Sequence, residues 1–171
     1  MFTYGILNLP NRLRGFKQEL LNYGSLGLIA QLKAKKIFAD GRYQDFGIIS
    51  RRLVTNAGVA FLVDAFQNLT EIEDFKFHAS GTSGTAENVT DTALGVEVAT
   101  RATGSQTEGA ANEYVTVGTI PYTATLSIVE HGIFSAGAGG TLWDRSVFAA
   151  INVVNLDSIQ FTYTLTVNAG G

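Results

Sequence analysis

The stretch Ser158-Ile159-Gln160-Phe161-Thr162-Tyr163-Thr164-Leu165-Thr166-Val167 alternates strictly between polar and apolar side chains. Successive side chains of a β-strand point to opposite faces, so this period of two predicts a strand with one face in a core. Its apolar positions hold aromatic and branched residues, which favour strand over helix. This strand decides the fold class.

Similar short segments lie upstream of this strand, without helical crossovers between them. They are Phe75–Ala79, Tyr114–Val117, Thr123–Val129 and the nearly continuous apolar run Val147–Val154. Strands that follow one another without helices pair antiparallel and favour a sandwich over an α/β fold. We therefore predict a mainly β protein: an antiparallel β-sandwich or jelly-roll-like body with one packed helix and an extended N-terminal arm.

The packed helix is predicted from Ala57 to Asn68, with Asn56 as its N-cap. Helical spacing places one set of apolar residues on a single face, which we expect to cover one side or end of the sheet. The set is Ala57, Phe61, Leu62, Ala65, Phe66 and Leu69. The Gly-, Ser- and Thr-rich stretches 80–91 and 103–112 predict two exposed, mobile loops.

The two parts of the chain carry opposite charge. Residues 1–52 hold nine Lys and Arg against three Asp and Glu, a net charge of +6. Residues 53–171 hold three Lys and Arg against twelve Asp and Glu, a net charge of −9. Complementary fields of this kind attract copies of the chain or an oppositely charged neighbour.

The basic part is predicted to be an arm. Residues 11–23 place Leu13, Phe16, Leu20 and Leu21 at spacings of three and four, which indicates a short amphipathic helix ending at Gly24. Segments that are too short to bury a core gain order on a partner. We predict a basic arm over residues 1–50 and a β-sandwich body over residues 51–171.

A hairpin is predicted over residues 36–48, belonging either to the arm or to the body. Its two short strands meet at Asp40-Gly41, a dipeptide that suits the positive φ of a tight turn.

Residue types that carry catalysis are sparse. The chain has no cysteine, and its two histidines, His78 and His131, fall in different predicted elements. The residues around His78 and His131 have neither the spacing of a catalytic triad nor that of a zinc site. The glycine runs 81–84 and 137–140 lack the Gly-Lys-Ser/Thr ending of a phosphate loop. We therefore expect no enzyme activity, no catalytic residue and no cofactor.

Three carboxylates, Glu87, Asp91 and Glu97, could in principle bind calcium. Their spacing matches no calcium loop, so no metal site is predicted. Asp91 is more simply the N-cap of a helical turn.

A pattern of structural segments runs through the body. The segments are Leu53–Gly58, Gly81–Ala86, Asp91–Leu94 with Glu97 and Arg101, Glu130–Phe134, Gly140–Arg145 with Phe148, and Ile159–Val167. In order and spacing, residues 53–165 resemble virion proteins of tailed bacteriophages. The resemblance implies a small β-sandwich subunit that cements or decorates heads, or that builds tails and fibres.

Glu130 and Arg145 lie at neighbouring strand ends within this pattern, and we predict that they pair. An exposed pair would stabilise the fold by less than about 1 kcal/mol.

These observations predict a capsid cement or decoration subunit that binds the major capsid protein or other virion subunits and forms a homo-oligomer on the particle. The arm residues expected to contact partners are Arg12, Arg14, Lys17, Lys33, Lys35 and Lys36. The cations are dispersed and the body is acidic, so nucleic acid is not the expected partner. Without a membrane-spanning run or a secretion signal, the chain is expected in the virion after synthesis in the host cytoplasm.

Two alternatives stay open. The chain could be a tail, baseplate or fibre-attachment subunit, which the sequence does not separate from a cement protein. A weaker alternative is a carbohydrate-binding module that uses Trp143, the one tryptophan, as a stacking surface.

Overall fold

The computed structural model describes residues 26–51, 53–71 and 75–169, which form two packed antiparallel sheets and one helix. In chain order the elements are β1 Leu26–Ile37, β2 Tyr43–Arg51, β3 Leu53–Val54, α1 Asn56–Phe66, β4 Phe77–Gly81, β5 Glu97–Thr103, β6 Ser105–Glu108, β7 Glu113–Pro121, β8 Leu126–Phe134, β9 Leu142–Val153 and β10 Ser158–Ala169. Sheet A has the order β2-β1-β10-β7-β6, and sheet B has the order β3-β9-β8-β4-β5. The predicted mainly β, sandwich-like fold class is confirmed.

Strand β10 is the centre of sheet A. It pairs with β1 from Ser158 to Ala169 on one edge and with β7 on the other. As the alternation predicts, Ile159, Phe161 and Tyr163 are fully buried between the sheets, whereas the intervening Gln160 and Thr162 are partly exposed. The core then continues into sheet B through residues such as Ile128.

The predicted boundary between arm and body at residue 50 is wrong, because the sheet begins at Leu26. Strand β1 lies between β2 and β10, and its Leu32 and Ala34 are core residues. The physical reason is backbone pairing: the second edge of β10 needs hydrogen-bond partners, and β1 supplies them. The predicted helix over residues 11–23 lies outside the described residues.

The predicted hairpin turn at Asp40-Gly41 is confirmed, and it belongs to the body. Gly41 has a φ of +83°, and its amide donates a hydrogen bond to the Phe38 carbonyl. This conformation suits glycine because it has no Cβ.

Helix α1 forms where it was predicted, with Thr55 rather than Asn56 as its N-cap. The Thr55 hydroxyl oxygen accepts a hydrogen bond from the Gly58 amide at 3.0 Å and donates one to the Leu142 carbonyl at 2.6 Å. The cap therefore also ties the helix to β9. No helix in the described ranges is long and apolar enough to cross a membrane.

Three edge strands were not predicted, one of them the two-residue strand β3 at one edge of sheet B. Strand β6 falls within the stretch 103–112 that we interpreted as a loop, and all four of its residues are exposed and polar. Strand β5 at the edge of sheet B was also missed. Edge strands with little buried side-chain surface lack the apolar periodicity by which strands are recognised.

The placement of β1 yields a test by truncation. We expect deletion of residues 1–35 to abolish cooperative thermal unfolding, because it removes most of the strand that pairs with β10. Deletion of residues 1–25 is the matched control and should keep a cooperative transition with the circular dichroism of a β protein. Cooperative unfolding of the longer deletion would contradict the assignment of β1 to the core.

Candidate functional site

The three predicted arm residues that the structure describes, Lys33, Lys35 and Lys36, do not form one surface. Arg12, Arg14 and Lys17 lie outside the described residues. Lys33 is exposed on β1, and the Lys35 ammonium lies 5.1 Å from the centroid of the Tyr43 ring on β2.

Lys36, predicted as a partner contact, is bound to groups of its own chain. Its ammonium lies 2.8 Å from Oδ2 of Asp157 and donates a hydrogen bond to the Asn152 carbonyl. The two side chains of the pair are only 11% and 2% exposed. Lys36 therefore fixes the turn between β9 and β10.

The pKa of Asp157 lies below its ordinary value, chiefly because of the hydrogen bond from Lys36 and then because of one from the Val154 amide. The carboxylate also accepts a hydrogen bond from the Ala39 amide at 3.3 Å. This residue joins the β1–β2 hairpin to the β9–β10 turn, a role that the sequence did not indicate.

The structure brings together the predicted pair Glu130 and Arg145 across β8 and β9. Nε and Nη2 of Arg145 donate to Oε2 of Glu130 at 2.9 and 2.8 Å. The prediction of an exposed pair is wrong, since the side chains are 0% and 3% exposed. Charges removed from water need complete hydrogen bonding, and both groups have several further partners.

Glu130 accepts three backbone hydrogen bonds in addition to those from Arg145. The donors are the amides of Ser83, Gly95 and Val96, at 2.8 to 3.0 Å. Burial raises the pKa of Glu130, but the Val96 and Gly95 amides, Arg145 and the Ser83 amide together outweigh it, so the pKa lies below its ordinary value. The carboxylate thus holds both ends of the connection between β4 and β5.

Arg145 holds the middle of the same connection. It donates to Oδ2 of Asp91 at 2.9 Å and to the Thr85 carbonyl at 3.0 Å. The stretch that we predicted as a mobile loop is therefore tied to the sheet by a buried ion pair. Asp91 serves as an Arg145 partner rather than as the predicted N-cap of a helical turn.

The acidic residues considered for calcium do not come together. Asp91 pairs with Arg145, and Glu97 makes a two-point pair with Arg101 at 2.7 and 2.9 Å. Within the described part of the chain, no group of three or more His, Asp or Glu residues could hold a metal ion.

The two histidines, predicted in separate elements, meet between the sheets. Nδ1 of His78 lies 3.0 Å from Nε2 of His131, and Nε2 of His78 lies 3.2 Å from the Thr116 hydroxyl. Both rings are fully buried. A Cβ at Gly118 would lie 2.5 Å from the His78 ring, so glycine is required there for the two sheets to approach. The geometry is that of a packed core pair.

Trp143 is a core residue, 3% exposed, and so cannot present a stacking surface to a sugar. Its indole nitrogen donates to the Tyr163 hydroxyl at 2.6 Å, and its ring packs on Phe75 at 4.8 Å between centroids. The observation that motivated the carbohydrate-binding alternative is thereby removed.

An apolar groove of about 440 Å³ opens at the end of the sandwich beside α1. Sheet A contributes the inner side chains at the beginning of β1 and the end of β10, and α1 and β9 contribute the opposite wall. The lining residues include Leu28, Leu62, Phe66, Phe75, Trp143 and Leu165. Gln106 and Tyr114 also line the groove. The same two residues line a shallow depression next to it, which Glu108 and Glu113 border.

A second apolar feature adjoins the groove on the outer side of α1. Val59, Val63 and Phe66, which we call the apolar stripe, lie four and three residues apart and are 49%, 49% and 74% exposed. Phe66 belongs to both features. Phe66 and Leu69, predicted on the buried face of the helix, are largely exposed. Sequence periodicity could not distinguish the two faces because both are apolar.

The buried pair predicts a large, pH-dependent loss of stability. We expect Glu130→Gln to lower the free energy of unfolding by about 3 kcal/mol at neutral pH, since it removes the buried charge that pairs with Arg145 and leaves only the partly exposed Asp91 as its partner. The folded pKa lies below the ordinary value of 4.5, so the contribution is complete above that pH and is lost as the pH falls through the folded pKa. Urea unfolding of the parent and the variant at several pH values measures this difference in the free energy of unfolding.

The matched control is Asp40→Asn, which removes an exposed pair with Arg42. This variant should unfold like the parent. A double-mutant cycle of Glu130→Gln with Arg145→Met should be strongly non-additive; additive effects would contradict the coupling.

The position of Lys36 yields a separate test. We expect Lys36→Ala to lower the free energy of unfolding by about 2 kcal/mol, because the charged hydrogen bonds to Asp157 and Asn152 are lost. Lys33→Ala, on the same strand but exposed, should leave stability unchanged. If Lys36→Ala and Lys33→Ala lowered the thermal unfolding temperature equally, the role of Lys36 in fixing the turn would be contradicted.

The chain was compared with protein-family models, curated proteins and solved structures, and none of them matches it.

Proposed function

We propose that this chain is a structural virion subunit, of the capsid cement or decoration type, that acts by binding other protein subunits. The observation that carries the proposal is the apolar stripe, which joins the apolar groove through Phe66. Contiguous apolar surface of this kind is uncommon on monomeric soluble proteins and marks sites of interaction.

The use of the buried polar groups supports a structural role. Glu130, Arg145 and Asp157 direct their hydrogen bonds to loops and turns of the same chain. Each of these groups holds a connection between strands in place. Such a body is suited to presenting a fixed surface to a partner.

The remaining cations support the same proposal. Lys33 and Lys35 lie on the outer side of sheet A, where they can attract an acidic partner surface, and Arg12, Arg14 and Lys17 add to them from the N-terminal segment. Partners of this kind would be the major capsid protein or other virion subunits. The apolar stripe would supply the contact area, and the cations would orient the encounter.

Binding of purified chain to virus particles that lack it tests the proposal. We expect saturable binding at a fixed copy number per particle. In electron micrographs, labelled chain should lie on the head. The double variant Val59→Gln/Val63→Gln should bind at least tenfold more weakly, because it makes two of the three stripe residues polar, and glutamine favours helix at least as well as valine.

The matched control is Val96→Gln/Val154→Gln, which changes two equally exposed valines on other parts of the surface. It should bind like the parent, and thermal unfolding should show that both double variants are folded. Failure to saturate, or equal binding by the two double variants, would contradict the proposal. Labelled chain on the tail would instead support a tail, baseplate or fibre-attachment subunit.

A further inference from the structure

The pair of buried histidines can hold fewer protons in the folded chain than in the unfolded chain. Nδ1 of His78 and Nε2 of His131 lie 3.0 Å apart, so one of these nitrogens donates a hydrogen and the other accepts it. An imidazolium has no acceptor, so two protonated rings would set two N–H groups against each other at that distance. The folded pair therefore binds at most one proton beyond its neutral form.

The ring of His78 has no room to turn away from its partner. A Cβ on Gly104 would lie 2.8 Å from Nε2 of His78, and a Cβ on Gly118 would lie 2.5 Å from the same ring. His131 is enclosed on its other side, where its ring centroid lies 4.4 Å from that of Phe161 on β10. Repulsion between two charged rings is therefore not relieved by side-chain rotation while the two sheets stay packed.

The groups that face the pair can balance one positive charge but not two. From β9, the buried Asp144 lies opposite the core residue Ile133, so its carboxylate faces the same interior. Tyr122, which follows β7, stays neutral because burial raises its pKa further above the ordinary value of 10. Lys76, just before β4, is partly exposed, and its charge opposes further protonation. The other facing residues carry no charge: Thr116 on β7, Phe161 on β10 and Ala102 on β5.

The unfolded chain has no such limit. An imidazole in water has a pKa of about 6.5, so the two histidines of an unfolded chain together bind about 1.8 protons at pH 5.5. The chain has two histidines and no cysteine, so this pair supplies the side chains whose ordinary pKa values lie between pH 5 and 8. Because the unfolded state binds more protons than the folded state, stability falls as the pH falls through this range.

From these observations we propose that the pair of His78 and His131 is an acid-sensitive switch, by which proton uptake below about pH 6 opens the sandwich. The closed form, with one shared hydrogen between the rings, is the form at neutral pH. Carboxylates such as Glu130 act at lower pH, so the two effects occupy different ranges. The inference concerns the free subunit and does not depend on the virion function.

Urea unfolding at pH 6 and at pH 5 tests the switch. The unfolding equilibrium constant of the parent should rise at least about fivefold between these values, because unfolding takes up close to one proton or more. The histidine-free variant His78→Gln/His131→Gln should change by less than about twofold over the same range.

The matched control is Thr116→Val, which removes the hydroxyl contact to His78 and keeps the contact between the two rings. It should lower stability at both pH values and retain the rise of about fivefold from pH 6 to pH 5. A purely structural loss in the core is thereby separated from a loss of the proton-linked response.

Nuclear magnetic resonance of the parent gives a second measurement that needs no variant, and so stands even where the histidine-free variant does not fold. The ¹⁵N shifts of the imidazole nitrogens distinguish a neutral ring from an imidazolium. At pH 5.5 the folded chain should show at most one imidazolium, whereas the same chain in urea should show two.

Three results would overturn the switch. They are two imidazoliums in the folded chain at pH 5.5, a parent whose unfolding constant rises less than about twofold from pH 6 to pH 5, and an equal rise in the histidine-free variant. Binding to particles is measured at neutral pH, so none of these results bears on the apolar stripe.

Discussion

Strand β10 can lie in the middle of a buried sheet only if both of its edges are hydrogen-bonded, and much of the structure follows from that constraint. Strand β7 pairs with one edge and β1 with the other. An unpaired edge between packed sheets would leave buried amides and carbonyls without partners, at a cost comparable to that of many lost hydrogen bonds. The body therefore takes residues 26–37 from the basic part of the chain.

The same pairing determines where the groove lies. The register places Leu26 opposite Ala169, so the first residues of β1 and the last of β10 share one end of sheet A. Their inward side chains, among them Leu28 and Leu165, extend beyond the part of the core that sheet B covers. Helix α1 covers this end only in part. The groove is thus the uncovered continuation of the core, located where β1 begins and β10 ends.

Strands with one buried face could be predicted from the alternation of their side chains. The edge strands β5 and β6 could not. The alternation in β10 predicted its core residues, and Asp40-Gly41 predicted the first hairpin. Strand β1 was missed because its basic residues, Lys33, Lys35 and Lys36, were interpreted as partner contacts of an arm. Glu130 and Arg145 could be paired from their strand positions, but their burial depends on the connection between β4 and β5 folding over them. The groove depends on three elements distant in sequence, so no local pattern indicated it.

The charge separation seen along the sequence is also a separation in space. In sheet A, Lys33 and Lys35 lie toward the β2 edge, whereas Glu108 and Glu113 lie toward the β6 edge. The subunit thus offers its neighbours two edges of opposite charge in one sheet and the apolar stripe on α1. Edges of opposite charge are complementary between copies, so they favour contacts in which the β2 edge of one copy meets the β6 edge of the next.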